Sequence, residues 1–207
     1  MHWIARAALV LIAVAACTGV EGPPSSGNSP RTGCTATPGD RSQGAERVPI
    51  GAPSRTRLGP GKELSPTADA IAAGARGERL TVSGTVYDGK CRPLAGAAVD
   101  AWQVTADGVY GPVDAAGGLV CCYLTGQVRT DPQGHYELLT VMPGHYASAA
   151  AHIHIAVSGP VGGQVLTEIQ FAGDPALGSR DQLNVVSLTK EADGGLRAVF
   201  DVVLADA

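Results

Sequence analysis

The chain has 207 residues and a formal net charge of −4, with 15 Lys and Arg against 19 Asp and Glu and only 5 His and 5 Tyr. That length has room for one domain of ordinary size with extra segments at its ends, and nothing suggests two cores. Its basic residues are scattered without a run, which excludes an electrostatic footprint for nucleic acid or anionic lipid and leaves a small or neutral partner.

In chain order, "MHWIARAALVLIAVAAC" sets Arg6 before an apolar run from Ala7 to Ala16 and small residues before Cys17. This is the pattern of a secretory signal, too short to read as a spanning helix. Val14-Ala15-Ala16-Cys17 resembles a bacterial lipobox, which implies cleavage before Cys17 and a lipid on its thiol. An ordinary cleavage site with a chance cysteine is the alternative. The expected location is the outer face of the cytoplasmic membrane, or else the exterior. Residues 18–33, rich in Pro, Gly and Ser, suit a flexible tether. Residues 34–78 read as an irregular N-terminal segment, with one short helix near Thr67 to Ala73.

Export gives the other cysteines a meaning, because thiols outside the cytoplasm are usually oxidised. Cys34, Cys91, Cys121 and Cys122 allow three connectivities. Adjacent Cys121 and Cys122 are poorly placed to close on each other, so Cys34 and Cys91 are each expected to take one of that pair. A zinc site is the weaker use, since no Cys-x-x-Cys spacing occurs.

From residue 79 to 207 the pattern turns to period two. "RLTVSGTVY" places Leu80, Val82 and Val86 on one face before a turn at Asp88-Gly89. "GAAVDAWQV" continues the style, and in "VRTDPQGHYELLTV" Asp131, Pro132 and Gly134 mark a type I turn between two strands. "LNVVSL" and "LRAVFDVVL" close the chain, the latter with Leu196, Ala198, Phe200, Val202 and Leu204 alternating with more polar neighbours. Short strands punctuated by Gly and Pro predict an all-β antiparallel sandwich.

Within it, "HIHIAV" places His152, His154 and Ala156 on one face and Ile153, Ile155 and Val157 on the core face. Two histidines two apart on a strand project in parallel, their Cβ atoms roughly 6.5 to 7 Å apart, a span that one metal ion can bridge. Solvent-facing strands also carry such pairs without a ligand. Tyr146, six residues upstream in a Pro-Gly loop, and Tyr110 in "WQVTADGVYGP" add weight to a metal.

"GTVYDGKCRPLAGAAVDAWQVTADGVY", "VRTDPQGHYELLTVMPGHY", "HIHIAV" and "LTEIQFAGDP" resemble, in the right order from about residue 79 to 175, the core of the intradiol ring-cleavage dioxygenases. That family includes protocatechuate and catechol dioxygenases and a branch of secreted lipoproteins, whose opening segment residues 34–53 resemble. The resemblance implies a mononuclear non-haem Fe(III) held by Tyr110, Tyr146, His152 and His154. Phenolate is a hard anionic donor suited to ferric iron, with imidazole completing a mixed N/O shell. A tyrosine with a pKa of about 10 ionises at neutral pH only beside such a cation. The implied partners are a catechol-type aromatic diol and O2, with no nucleic acid, membrane contact only through a lipid anchor, and room for a homo-oligomer. The implied reaction opens the ring between the two hydroxylated carbons after Tyr146 yields its place to the substrate, with Tyr110 staying bound.

Two positions depart from the family pattern. Ala149 stands where the family usually has an arginine, thought to stabilise charge on the activated ring, and Glu168 stands where it usually has glutamine. His145, beside Tyr146, joins them as a pocket candidate. A non-catalytic exported lipoprotein that binds metal or a small aromatic is therefore the competing reading, and a copper or zinc protein using the same histidines is a third. Trp102, Tyr123 and Tyr136 read as packing residues, His135 as a surface residue, and Asp174 as a turn former.

Overall fold

The computed structural model describes residues 34–39, 67–68, 76–109, 124–178 and 184–205. The predicted leader, tether and lipid site Cys17 lie outside those residues, as do Tyr110, Cys121, Cys122 and Tyr123.

Eleven strands and no helix form the described part. In chain order they are β1 (Thr67–Ala68), β2 (Arg79–Tyr87), β3 (Ala98–Gln103), β4 (Leu124–Arg129), β5 (His135–Val141) and β6 (His152–Ser158). There follow β7 (Gln164–Phe171), β8 (Val185–Val186), β9 (Thr189–Lys190), β10 (Leu196–Val199) and β11 (Val202–Val203). One sheet runs β1-β5-β2-β10-β9 with β11 also on β2, and the other runs β4-β3-β6-β7-β8. The long strands pair antiparallel as predicted, but β1 on β5, β10 and β11 on β2, and β8 on β7 are parallel, so both sheets are mixed.

Alternation builds the core. Leu80, Val82 and Val86 of one sheet and Val99, Ile153, Ile155, Val157, Ile169 and Phe171 of the other are all buried in a single apolar cluster, the arrangement that removes the inner faces of two sheets from water. The turn at Asp131 forms as expected, its side chain accepting from the amides of Gln133 and His135 at 2.9 and 2.8 Å. Rather than folding a hairpin, it carries the chain from β4 in one sheet to β5 in the other.

The final run is broken between β10 and β11, where the Phe200 amide donates to the Ser83 carbonyl at 2.9 Å and Asp201 accepts from the Thr85 amide at 2.9 Å. Gly84 makes this crossing possible, since a Cβ there would overlap the Phe200 carbonyl. Tyr136 packs beneath as predicted, and its hydroxyl donates to that same carbonyl at 2.6 Å.

Two expectations are corrected. Thr67–Ala68 is a strand, paired parallel with Glu137 and Leu138, where a helix start was predicted. The open edge of β5 offers backbone partners that local propensity does not register. Cys34 is bridged to Cys91, with Cα atoms 5.5 Å apart, and neither takes a partner from Cys121 or Cys122. The cause is a strap. The Thr37 amide and hydroxyl exchange hydrogen bonds with Val203 at 2.9 and 2.8 Å, and Thr167 donates to the Pro38 carbonyl at 3.0 Å. That pinning helps set residues 34–38 so that Cys34 meets Cys91 in the turn after β2.

Candidate metal centre

The site grows from one row across three neighbouring strands. In register, Trp102 of β3 stands opposite His154 of β6, and His154 stands opposite Glu168 of β7. One step toward the sheet's end, His152 faces Gln170. Because residues of one parity share a face, the core-side neighbours Ile153, Ile155, Ile169 and Phe171 fix the others on the opposite face.

That face is not left to solvent. His152 and His154 are 8% and 5% exposed. Trp102 covers His154 in a stacked arrangement, centroids 5.2 Å apart and planes 11° apart. The two imidazoles meet edge to face, with Nε2 atoms 3.3 Å apart. His152 Nδ1 lies 2.7 Å from the Ala150 carbonyl, so it carries the proton and donates, leaving the Nε2 lone pair bare. His154 Nδ1 lies 3.5 Å from Glu168 Oε1.

The two Nε2 atoms 3.3 Å apart share a hydrogen bond when one of them carries the proton, and when both are deprotonated the same gap accepts a cation. The spacing suits one: bonds of about 2.1 Å meeting near a right angle put two nitrogens about 3 Å apart. Glu168 adds a carboxylate oxygen 3.9 Å from His152 Nε2, and the ligand atoms of His152, His154 and Glu168 all lie within 4.8 Å of one another. Gln170 Oε1 is buried with no hydrogen-bond partner among the described residues, so a bound group with a donor would satisfy it.

The topology brings the loops to the same end. β3 runs antiparallel to β6, so the chain leaves β3 where β6 begins, and β7 also ends there. The loop after β3, Val104 to Val109, leads toward Tyr110, one residue beyond its last described position. It is tied to the loop that carries Tyr146 because the Thr105 carbonyl accepts from both the Gly108 and the Gly144 amides at 3.0 Å. Gly108 has φ 77° and its backbone lies so close to the His145 carbonyl that a Cβ would overlap it.

Tyr146 stands on the loop between β5 and β6, 37% exposed, in a turn closed by the Ala149 amide donating to its carbonyl at 3.0 Å. Ala149 is partly buried in that turn.

Asp174 locks this loop to the end of β7. Its carboxylate accepts from the Ala151 amide at 3.0 Å, from the Ala176 amide at 2.8 Å and from His145 Nε2 at 3.0 Å. Burial pushes its pKa up, but these hydrogen bonds outweigh burial and hold it below the usual aspartate value. The turn-former reading of Asp174 is thus correct and incomplete. Of the sequence candidates, the structure gathers His152, His154 and Glu168, and it sets His145 against Asp174. Trp102 and Gln170 were missed as site residues, although Trp102 shares parity with the ligand face once its register with His154 is known.

Fold and site together define a β-sandwich with a buried cluster of candidate metal ligands, His152, His154 and Glu168, at one end of a sheet. The family model described as Dioxygenase matches residues 62–205. The chain belongs to that family, the intradiol ring-cleaving dioxygenases. It is 32% identical over 158 residues to the protocatechuate 3,4-dioxygenase beta chain of Burkholderia cepacia, covering 62% of this chain and 65% of that one. It is 29% identical over 116 residues to catechol 1,2-dioxygenase 1 of Acinetobacter lwoffii, covering 47% and 37%. The matches thus span about a third to two thirds of the length of these relatives. Among solved structures, the dioxygenase domain of a dioxygenase carbohydrate-binding protein fusion from Streptomyces sp. SirexAA-E superposes with TM-score 0.58 at 27% identity, covering 84% of this chain and all of that one.

Proposed function

We propose that this protein is a ferric-iron-dependent intradiol dioxygenase that inserts both atoms of O2 into a catechol-type aromatic, opening the ring between its two hydroxylated carbons. The observation that carries the reading is the pair of buried imidazole Nε2 atoms 3.3 Å apart, with Trp102 stacked on His154, in a chain whose relatives are named as catechol and protocatechuate dioxygenases.

In this reading His152, His154, Tyr110 and Tyr146 hold one non-haem Fe(III). Bound there, the ion would supply the positive charge that lets the phenols ionise and the Lewis acidity that activates a diol toward O2. The chain's own residues do the rest. The Ala150 carbonyl fixes the His152 tautomer, and Trp102 fixes the plane of His154. Tyr146, 37% exposed on its loop, would be the ligand that gives way, its phenolate oxygen taking one proton from the incoming diol while solvent takes the other. Asp174, through Ala151 and His145, sets the position from which that loop moves. Tyr110 keeps its place. Cys17 anchors the exported protein through a lipid.

A second reading, an exported lipoprotein that binds metal or a small aromatic without turnover, draws on Ala149 and Glu168. The first site lacks the cation expected where negative charge develops, and the second adds a carboxylate. Oxygen uptake with catechol, hydroxyquinol and protocatechuate separates the two. Consumption of one O2 per diol with formation of a muconate-type diacid supports the dioxygenase. An iron-loaded protein inert toward the whole panel refutes it.

A further inference from the structure

We infer that Glu168 completes, with His152 and His154, a three-donor site for a divalent transition-metal ion, one that holds its ion with neither tyrosine. The inference goes beyond ring cleavage and does not depend on it.

Register fixes the third donor as firmly as the first two. Glu168 stands directly opposite His154 on the adjoining strand, so its side chain leaves the same face of the sheet. Its Oε1 is 3.5 Å from His154 Nδ1 and 3.9 Å from His152 Nε2, and its side chain is only 19% exposed. Donors on one ion sit about 3 Å apart when bonds are about 2.1 Å, and with one ligand atom from each of the three residues within 4.8 Å of the others the carboxylate is within side-chain reach of an ion held by the histidines.

Charge makes the same point. Two neutral imidazoles bring no negative charge to a cation, and the glutamine that the family usually carries at this position brings none either. A carboxylate supplies one full charge, and a set of two imidazoles and one carboxylate with open positions is a known holder of divalent first-row metals. Trp102 packed over His154 limits water on one side of the site, which strengthens the attraction between carboxylate and ion.

The test uses the full-length protein freed of metal by chelation, titrated with Co(II) and read by visible d–d absorption and calorimetry. Tyr110→Phe with Tyr146→Phe is expected to bind one Co(II) per chain. Adding Glu168→Gln to that background is expected to weaken binding by about 10- to 100-fold. The inference is overturned if the double tyrosine variant, folded by circular dichroism, binds no Co(II), or if Glu168→Gln leaves its affinity unchanged. Should the double variant fail to fold, Glu168→Gln alone in the wild-type chain decides: at least a ten-fold loss supports a ligand role, and no loss refutes it. A protein that cleaves catechol yet binds Co(II) equally well without Glu168 sinks this inference and leaves the dioxygenase reading intact. The opposite pair of results does the reverse.

Discussion

Asp174→Asn keeps the shape of the side chain that locks the Tyr146 loop and removes only its charge and one acceptor oxygen. Three donors converge on this carboxylate, from Ala151, Ala176 and His145 at 2.8 to 3.0 Å. A hydrogen bond to a charged group contributes about 1.5–3 kcal/mol and one between neutral groups about 0.5–1.5. Ala151 and Ala176 donate to different oxygens, so the donor that faces the new amide nitrogen loses its whole bond, about 1.5–3 kcal/mol, the other loses about 1 kcal/mol, and the half-exposed His145 contributes less. The expected cost is about 2.5–4 kcal/mol at neutral pH, a fall in Tm of about 5–16 °C for a domain of this size.

The pH dependence has a definite sign. The aspartate pKa is held below 3.8 in the folded state, so the stabilisation is present above 3.8 and is lost as pH falls through the lower folded value. Urea unfolding of wild type and variant between pH 6 and pH 3 measures it: the gap is full at pH 6 and narrows below about pH 4. A gap under about 0.5 kcal/mol at pH 6, or one unchanged at pH 3, refutes the reasoning.

Tyr136→Phe leaves the Phe200 carbonyl buried without its 2.6 Å donor, a cost of about 1–3 kcal/mol. Burial, with the nearby Asp201 charge, pushes the Tyr136 pKa far above the ordinary phenol value, so denaturant midpoints should show the same loss from pH 5 to pH 9. Reduction of Cys34–Cys91, or Cys34→Ser, opens a loop of 57 residues, which chain entropy values at about 4 kcal/mol; calorimetry with and without reductant checks it. Ala149→Arg returns a cation to the Tyr146 turn and should raise catechol-dependent oxygen uptake by about ten-fold or more at equal iron content. No gain would show that the absent charge at position 149 does not limit turnover.

Alternation made the ligand strand readable: in "HIHIAV" the isoleucines go to the core and the histidines to the other face, as the burial of Ile153 and Ile155 bears out. The Asp131 turn was equally local. What escaped depends on register and long-range contact. Trp102 reads as core because its partner on β6, His154, is fixed by pairing 52 positions away. Asp174 announces a turn through its neighbours, but its bonds to Ala151 and His145 span the β6–β7 hairpin. The Cys34–Cys91 bridge follows from the strap on Val203, which no spacing encodes. Short parallel strands such as β8 and β11 have two residues each, too few to show a period.

The central claim is that the imidazoles of His152 and His154, with two phenolates, hold one ferric ion that activates a catechol. Metal analysis and visible absorption of the aerobically purified protein, beside His152→Ala and His154→Ala, test it most directly. The account predicts one iron per chain and a broad visible band in the wild type, both lost in each histidine variant. A folded, colourless wild type that takes up no iron, or histidine variants that keep the band, would contradict it.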